Sequence, residues 1–394
     1  MTDSSLLRSM VAVESAWLGA LTAAGLAPAE GARGGLSNLL ADNDCESIAV
    51  AAEDGGNPVI GLVELLRQRA DPALAPWIHR GLTSQDVLDS GLMLALRAVV
   101  DDLISQLQQQ ISVLAELARR HRATPMVART LTQHAAPTTF GAKAAGWLHG
   151  VLDARERLTP LRLPVQIGGA AGTLSATTEL AALHAGSPDP ADVAVGLVRG
   201  AATALGLEMR SSWHTTRTPV TAAADAFVAC TDCWGRIASD VVTLARPEIA
   251  ELSEPAGENR GGSSSMPHKR NPVLSILIRR AALSAPPLAA TLHTAAALAN
   301  DERPDGAWHA EWDTLRTLAR RTLVAGSQCG ELLAGLGVNA GRMGENLAAA
   351  EVYGEQRAIV GLVGKPPSAT YFGAVDRLID QSLDRAQRVL RQRA

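Results

Sequence analysis

Four polar, irregular segments interrupt a chain otherwise rich in alanine, leucine and valine, and they hold the residue types that do chemistry. The densest is GGSSSMPHKRNP, residues 261–272. Gly261 and Gly262 free the backbone, and the amides of a glycine–serine turn can converge on an anion. Ser263 and Ser264 add hydroxyls, Lys269 a cation and Asn271 an amide donor, while Pro272 suits the first turn of a following helix. A flexible surface linker has no need of Met266-Pro267 or of the Lys-x-Asn spacing, so the set describes a loop that receives a carboxylate.

HRGLTSQD (79–86) crowds His79, Arg80, Thr83, Ser84, Gln85 and Asp86 together ahead of a long helical pattern. One reading is a helix start, with Thr83 or Ser84 as cap and Gln85 and Asp86 at the positive end. That leaves His79 and Arg80 unexplained, and a helix N-terminus flanked by hydroxyls is also a carboxylate site. RTLTQHAAPTTFGAK (129–143) carries Gln133 and His134, the histidine reading first as a satisfied core residue. QIGGAAGTL (166–174) resembles a nucleotide loop superficially. No strand pattern precedes it and the G-x-G-x-x-G spacing is absent, so its glycines predict a bend or a close backbone approach.

The elements that hold these segments follow from composition and period. Of 394 residues 47% are hydrophobic but only 3% aromatic, which predicts cores of Ala, Leu and Val in closely packed helices. Leu96, Val100, Leu103, Leu107, Ile111 and Leu114 recur at helical spacing, as do Val220, Phe227, Trp234, Ile237, Val241 and Leu244. A third long helix is predicted after Pro272, and a fourth through Leu315, Leu318, Thr322 and Leu332. Strands amount to a hairpin or two, and the fold class is all-α. The divisions expected are an N-terminal region 1–90, a helical centre 91–340 and a short C-terminal piece 341–394. Apolar faces this wide predict partners among other subunits.

Net charge is −4, with 36 basic and 40 acidic residues intermixed, which argues against a nucleic-acid binder. ARRHR (118–122) reads as a solvated helix end facing the dipole. Cys230 and Cys233 form a C-x-x-C with no second pair to complete a zinc site, and read as helix-core neighbours. Four cysteines and a start without signal-peptide character predict a reducing cytoplasm. Residues 281–300 carry no formal charge, but Pro286-Pro287, His293 and several hydroxyls favour a buried bundle helix over a membrane span.

GSSSMPHKRNP (262–272) resembles the signature loop of the fumarase/aspartase superfamily, G-S-S-x-M-P-x-K-x-N-P, and GLTSQD and RTLTQHAAPTTFG resemble its first two regions in the expected order. Within the superfamily, TSQDVLDSGL, QIGGAAGTL and GAWHAEW (306–312) are most similar to the 3-carboxy-cis,cis-muconate cycloisomerase branch, with adenylosuccinate lyases next. The resemblance implies a three-domain fold whose long helices form one bundle in a homotetramer, with active sites shared between subunits. It implies a small polycarboxylate substrate and no cofactor or metal. Ser264 is then the proton-transferring base, with Lys269 beside it and His134 as a further catalytic candidate. His79, Arg80, Thr83, Ser84, Gln133, Ser263, Met266 and Asn271 are the implied substrate contacts. The expected reaction is lactonisation of 3-carboxymuconate to 4-carboxymuconolactone in protocatechuate breakdown; the alternative is an elimination from a succinyl-type substrate that releases fumarate or a related product. Leu131 stands where adenylosuccinate lyases carry the histidine that protonates the leaving group, which favours the first.

Overall fold

The computed structural model describes residues 1–32, 35–41, 43–184, 189–257, 260–266 and 268–391. Among them thirteen α-helices make the fold, accompanied by two two-stranded sheets, so the all-α expectation holds. The first stretch contains α1 (Asp3–Ala23), α2 (Asp44–Gly55), α3 (Val59–Arg69) and the long α4 (Ser84–Arg120). The hairpin β1 (Pro125–Thr130) and β2 (Gln133–Thr139) leads into α5 (Phe140–Leu158), followed by α6 (Ser175–Leu183) and α7 (Pro190–Leu205). Next come α8 (Thr218–Leu244), the short β3 (Leu252–Ser253), α9 (Val273–Ala297) and α10 (Gly306–Ala334). The chain closes with β4 (Gly337–Val338), α11 (Ala340–Ala349), α12 (Gly354–Val363) and α13 (Val375–Arg391).

The four long helices stand where the apolar period puts them. Every residue of the two quoted series on α4 and α8 is buried, as are Leu315, Leu318, Thr322 and Leu332 on α10. By contact the chain forms two compact units, the first of Met1–Asp101, Leu161–Ala224 and Ala289–Ala319, the second of Asp102–Pro160, Asp225–Leu288 and Arg320–Ala394. In the first unit α1 packs on α7, and the indole of buried Trp17 donates to the Arg80 carbonyl at 2.7 Å.

In the second unit α4, α8 and α10 meet at one polar relay: Trp234 Nε1 donates to Gln110 Oε1 at 2.7 Å, and Gln110 Nε2 donates to the Gly326 carbonyl at 2.8 Å. A side chain at 326 has no room, since a Cβ there would lie 2.8 Å from the Trp234 ring. ARRHR does more than face the dipole: Arg122 pairs with Asp376 and Asp380 and helps bind α13 to the second unit. The C-x-x-C lies on α8 as expected, with Cys233 Sγ donating to the Cys230 carbonyl at 3.1 Å. Burial pushes the Cys230 thiol up to about 12 and lifts those of Cys233 and Cys329 above their ordinary value, so none is a nucleophile at neutral pH.

Helix α9 is long and apolar enough to cross a membrane by length and composition, yet only a third of its most apolar window is buried within the chain. Ile276 and Leu283 stand exposed on it. The expected burial of this helix is therefore only partly met by the chain itself.

Candidate active site

The loop that opened the sequence reading is closed at its base by a clasp. Asn271 donates to the Gly261 carbonyl twice, through its backbone N–H at 2.8 Å and its side-chain amide at 3.2 Å. Gly261 has φ +73°, and a Cβ there would lie 2.6 Å from the Asn271 carbonyl oxygen, so only glycine closes this base. Within the loop Ser263 Oγ accepts from the amides of Ser265 and Met266 at 3.4 and 3.2 Å. Two successive N–H groups thus converge on a hydroxyl of the loop itself, a local serine turn. Ser264, Met266 and Lys269 are exposed, and Pro267 lies outside the described residues.

The N-terminus of α9 is not an open anion site. Glu254 accepts from the amides of Leu274 and Ser275 at 3.0 and 2.7 Å and neutralises the positive end of the helix. Beside it, Arg260, Arg270, Asn271 and Glu254 line a cavity of about 300 Å³ at the loop base. Arg260 is held by Glu331 at 2.6 Å.

The HRGLTSQD segment forms the start of α4, but its hydroxyls do not cap it. Asp86 reaches back and accepts the Thr83 N–H at 3.0 Å, replacing the expected Ser or Thr cap. Among the described residues the Thr83 and Ser84 hydroxyls make no hydrogen bond, so capping leaves them available to a ligand. His79, at φ +62°, is bound to buried Glu14 through its N–H at 3.0 Å and its Nδ1 at 2.6 Å. Arg80 is exposed and donates to the Pro76 carbonyl at 3.1 and 2.9 Å.

In RTLTQHAAPTTFGAK, Gln133 and His134 are exposed on β2, so His134 is not the satisfied core histidine first considered. The hairpin turns on Leu131 and Thr132, at φ +49° and +71°. Asn-Gly is the comfortable pair for such a turn, and here an aliphatic residue 95% exposed occupies its tip. Arg129, opposite His134 near the turn, pairs with fully buried Glu251 at 2.7 Å, and Asn346 also donates to Glu251 at 2.8 Å.

The predicted site residues therefore occupy three places: the α4 start in the first unit, and the hairpin and the clasped loop in the second. Among the described residues no hydrogen bond or ion pair joins Gln133 or His134 to the loop. Nor do any described His, Cys, Asp and Glu side chains gather as a metal site.

Sequence reasoning missed the polar layer behind the α4 start. Asp86 also accepts from the amides of Gly168 and Gly169 at 2.9 Å each, and from His214 Nε2 at 2.9 Å. This is the close approach that the glycines of QIGGAAGTL predict. One turn along α4, Asp89 receives Arg217 Nη1 at 2.7 Å, Trp308 Nε1 at 3.0 Å and Gln85 Nε2 at 3.2 Å. Arg217 also holds Glu311 through Nη2 at 2.5 Å. Burial opposes the charge on Arg217, but Asp89 and Glu311 together hold it above its ordinary value. Burial raises Glu311, with Arg217 pulling the other way. The signal was the run SQDVLDS, whose polar residues recur on the buried face of an apolar helix; His214 and Arg217 gave none.

Residues 6–285 match the family described as Lyase. The chain is 46% identical over 356 residues to the nitrosuccinate lyase of Streptomyces davaonensis, covering 88% of this chain and 73% of that protein. It is 41% identical over 356 residues to the 3-carboxy-cis,cis-muconate cycloisomerase of Bradyrhizobium diazoefficiens, covering 88% and 76%. The crystal structure of the 3-carboxy-cis,cis-muconate lactonizing enzyme from Pseudomonas putida is similar at TM-score 0.81 and 30% identity, over 100% of this chain and 85% of that one. The signature loop, the helical fold and these similarities agree: the chain belongs to the lyase family of the fumarase/aspartase superfamily.

Proposed function

We propose that this chain catalyses proton transfer at a carbon next to a carboxylate, coupled to making or breaking a bond at the neighbouring carbon, with no protonation of the leaving group by the protein. The observation that carries this reading is Leu131. Where adenylosuccinate lyases carry a histidine, this chain carries a side chain that cannot transfer a proton.

The first specific reading is lactonisation of 3-carboxy-cis,cis-muconate to 4-carboxymuconolactone, a step in protocatechuate breakdown. A carboxylate oxygen of the substrate adds to the double bond, and the electron pair moves to the carbon next to another carboxylate as an aci-carboxylate. The Ser264 hydroxyl delivers a proton to that carbon, and the resulting alkoxide is reprotonated from water. In reverse the alkoxide is the base. A serine is a weak acid, so the loop must stabilise the alkoxide; Lys269 is the donor at hand, and the amides at 265–266 would have to leave Ser263 Oγ to join it. Lys269 and Asn271 hold the carboxylate whose charge grows, and Thr83 and Ser84 hold another, flanked by His79 and Arg80. Gln133, His134, Ser263 and Met266 complete the contacts.

The similarity to a nitrosuccinate lyase favours a second reading on the same residues. Ser264 alkoxide takes a proton next to one carboxylate of nitrosuccinate, the carbon–nitrogen bond breaks, and nitrite leaves with the electron pair, giving fumarate. Nitrite is a weak base and departs unprotonated, so Leu131 suits this reaction too. The two substrates share a shape: each presents three planar XO₂ groups, three carboxylates in one and two carboxylates with a nitro group in the other.

The partially open α9 and the exposed hairpin tip support assembly as a homotetramer whose subunits share active sites. In this arrangement residues 1–90, 91–340 and 341–394 are the three domains of a cytoplasmic enzyme. The test is parallel assay of the purified protein for loss of muconate absorbance, for nitrite release and for adenylosuccinate cleavage. Turnover of either of the first two, with adenylosuccinate untouched, is expected. Cleavage of adenylosuccinate alone would overturn the reading and point to another proton donor, His134 first.

A further inference from the structure

Asp86 is fully buried, and its carboxylate binds the backbone at the start of α4 and at the Gly168–Gly169 turn. Five donors converge on it: Thr83 N–H and Gly169 N–H on Oδ2, and Gly168 N–H, His214 Nε2 and Gln166 Nε2 on Oδ1. A carboxylate offers about four lone-pair sites, so the group is saturated and its charge is held in place without a cation in direct contact being required.

The donors are themselves fixed. Gln166 Nε2 donates to Ser212 Oγ at 3.1 Å, and Gln166 Oε1 accepts the Trp213 N–H at 2.6 Å. With one lone pair engaged, the Ser212 hydroxyl is free to donate to His214 Nδ1 at 3.3 Å. That assigns the ring proton to Nε2, directed at Asp86. The chain from Gln166 through Ser212 and His214 to Asp86 has a single polarity. It ends on the amides that set the backbone of Thr83 and of the Gly168–Gly169 turn.

We propose that Asp86 is a positioning residue: together with His214 it locks the start of α4 and the Gly168–Gly169 turn into one rigid face, so that Thr83 and Ser84 are pre-aimed at a substrate carboxylate. Asp86 touches no substrate, and its effect passes through the Thr83 amide. The proposal rests on the reading that Thr83 and Ser84 bind a substrate carboxylate. A negative charge so close to an anion site opposes binding by charge alone. Its retention here is explained by the five donors that absorb it and by the order it imposes.

The experiment is a double-mutant cycle in the full chain, read as KM and kcat for whichever of 3-carboxymuconate and nitrosuccinate is turned over. Asp86→Asn keeps the volume, but either orientation of the amide sets a donor against donors. It should raise KM about tenfold, the worth of roughly one misplaced hydrogen bond to a charged group, with kcat nearly unchanged because ground state and transition state lose the same contact. In a Thr83→Ala/Ser84→Ala background the same change should add less than about twofold, because coupled residues are not additive. Ser212→Ala, which frees the imidazole and leaves Gln166 Nε2 its bond to Asp86, should raise KM in the same direction at a nearly unchanged melting temperature, and serves if Asp86→Asn does not fold.

An unchanged KM in folded Asp86→Asn, or the full tenfold loss persisting in the Thr83→Ala/Ser84→Ala background, would overturn the proposal. So would an unchanged KM in Ser212→Ala if Asp86→Asn does not fold. A wild-type KM in Thr83→Ala/Ser84→Ala itself would instead remove the reading on which it rests, and is seen before Asp86 is altered.

Discussion

Replacing Arg217 with methionine removes the cation between Asp89 and Glu311 while keeping most of its length. Both carboxylates are buried, and the guanidinium reaches Asp89 at 2.7 and 3.1 Å and Glu311 at 2.5 and 3.1 Å. Removing one partner of such a buried pair costs about 3–5 kcal/mol, because the charge left behind is uncompensated. Against a total stability of about 5–15 kcal/mol this is a large loss, and it should lower the melting temperature by on the order of 10 °C. Its pH dependence is the sharper signature. Without the guanidinium that pulls it down, the buried Glu311 carboxyl rises further above its unfolded value. The folded variant then takes up protons more readily than the unfolded chain. Its deficit is therefore smallest at acid pH and widens as pH rises through that raised value. Thermal melts of parent and Arg217→Met at pH 5 and pH 8 measure this directly. A deficit equal at both pH values, or none, would show that the layer is not held by charge pairing.

Gly261→Ala should cut turnover strongly with little change in melting temperature. The new Cβ meets the Asn271 carbonyl oxygen and opens the clasp, at about 1–2 kcal/mol of local strain, and protease nicking within 262–270 should rise with it. Of the two half-buried thiols, Cys45 should react with an aromatic disulfide reagent in the folded protein at pH 8 and Cys233, held well above the ordinary thiol pKa, should not. Buried Cys230 and Cys329 should stay silent even at pH 9, and all four should react in denaturant.

The long helices were legible because a 3.6-residue apolar period is a strong, local signal, and Leu96–Leu114 and Val220–Leu244 lie buried as read. The loop clasp was half legible: Gly261 announced backbone freedom, but Asn271 looked like a substrate donor and its amide is seen here on the Gly261 carbonyl. The Asp86 layer was not. Its partners Gly168, Gly169 and His214 lie 82 to 128 residues away, and no local pattern encodes a contact of that span. The core reading of His134 fails because the first residues of β2 are exposed, which a single sequence window does not show; its role at the site rests on the resemblance alone.

The proton carried by Ser264 is tested most directly by running the reaction with 3-carboxymuconate in deuterium oxide and reading the lactone by proton NMR. One deuterium on a single face of the carbon next to the carboxylate is expected with the natural chain. Ser264→Ala should retain its fold but form lactone about 10²–10⁴-fold more slowly, the usual cost of a lost general acid or base. Lactone formed by Ser264→Ala at a comparable rate, with the same single-face label, would contradict the assignment of Ser264 as the proton carrier.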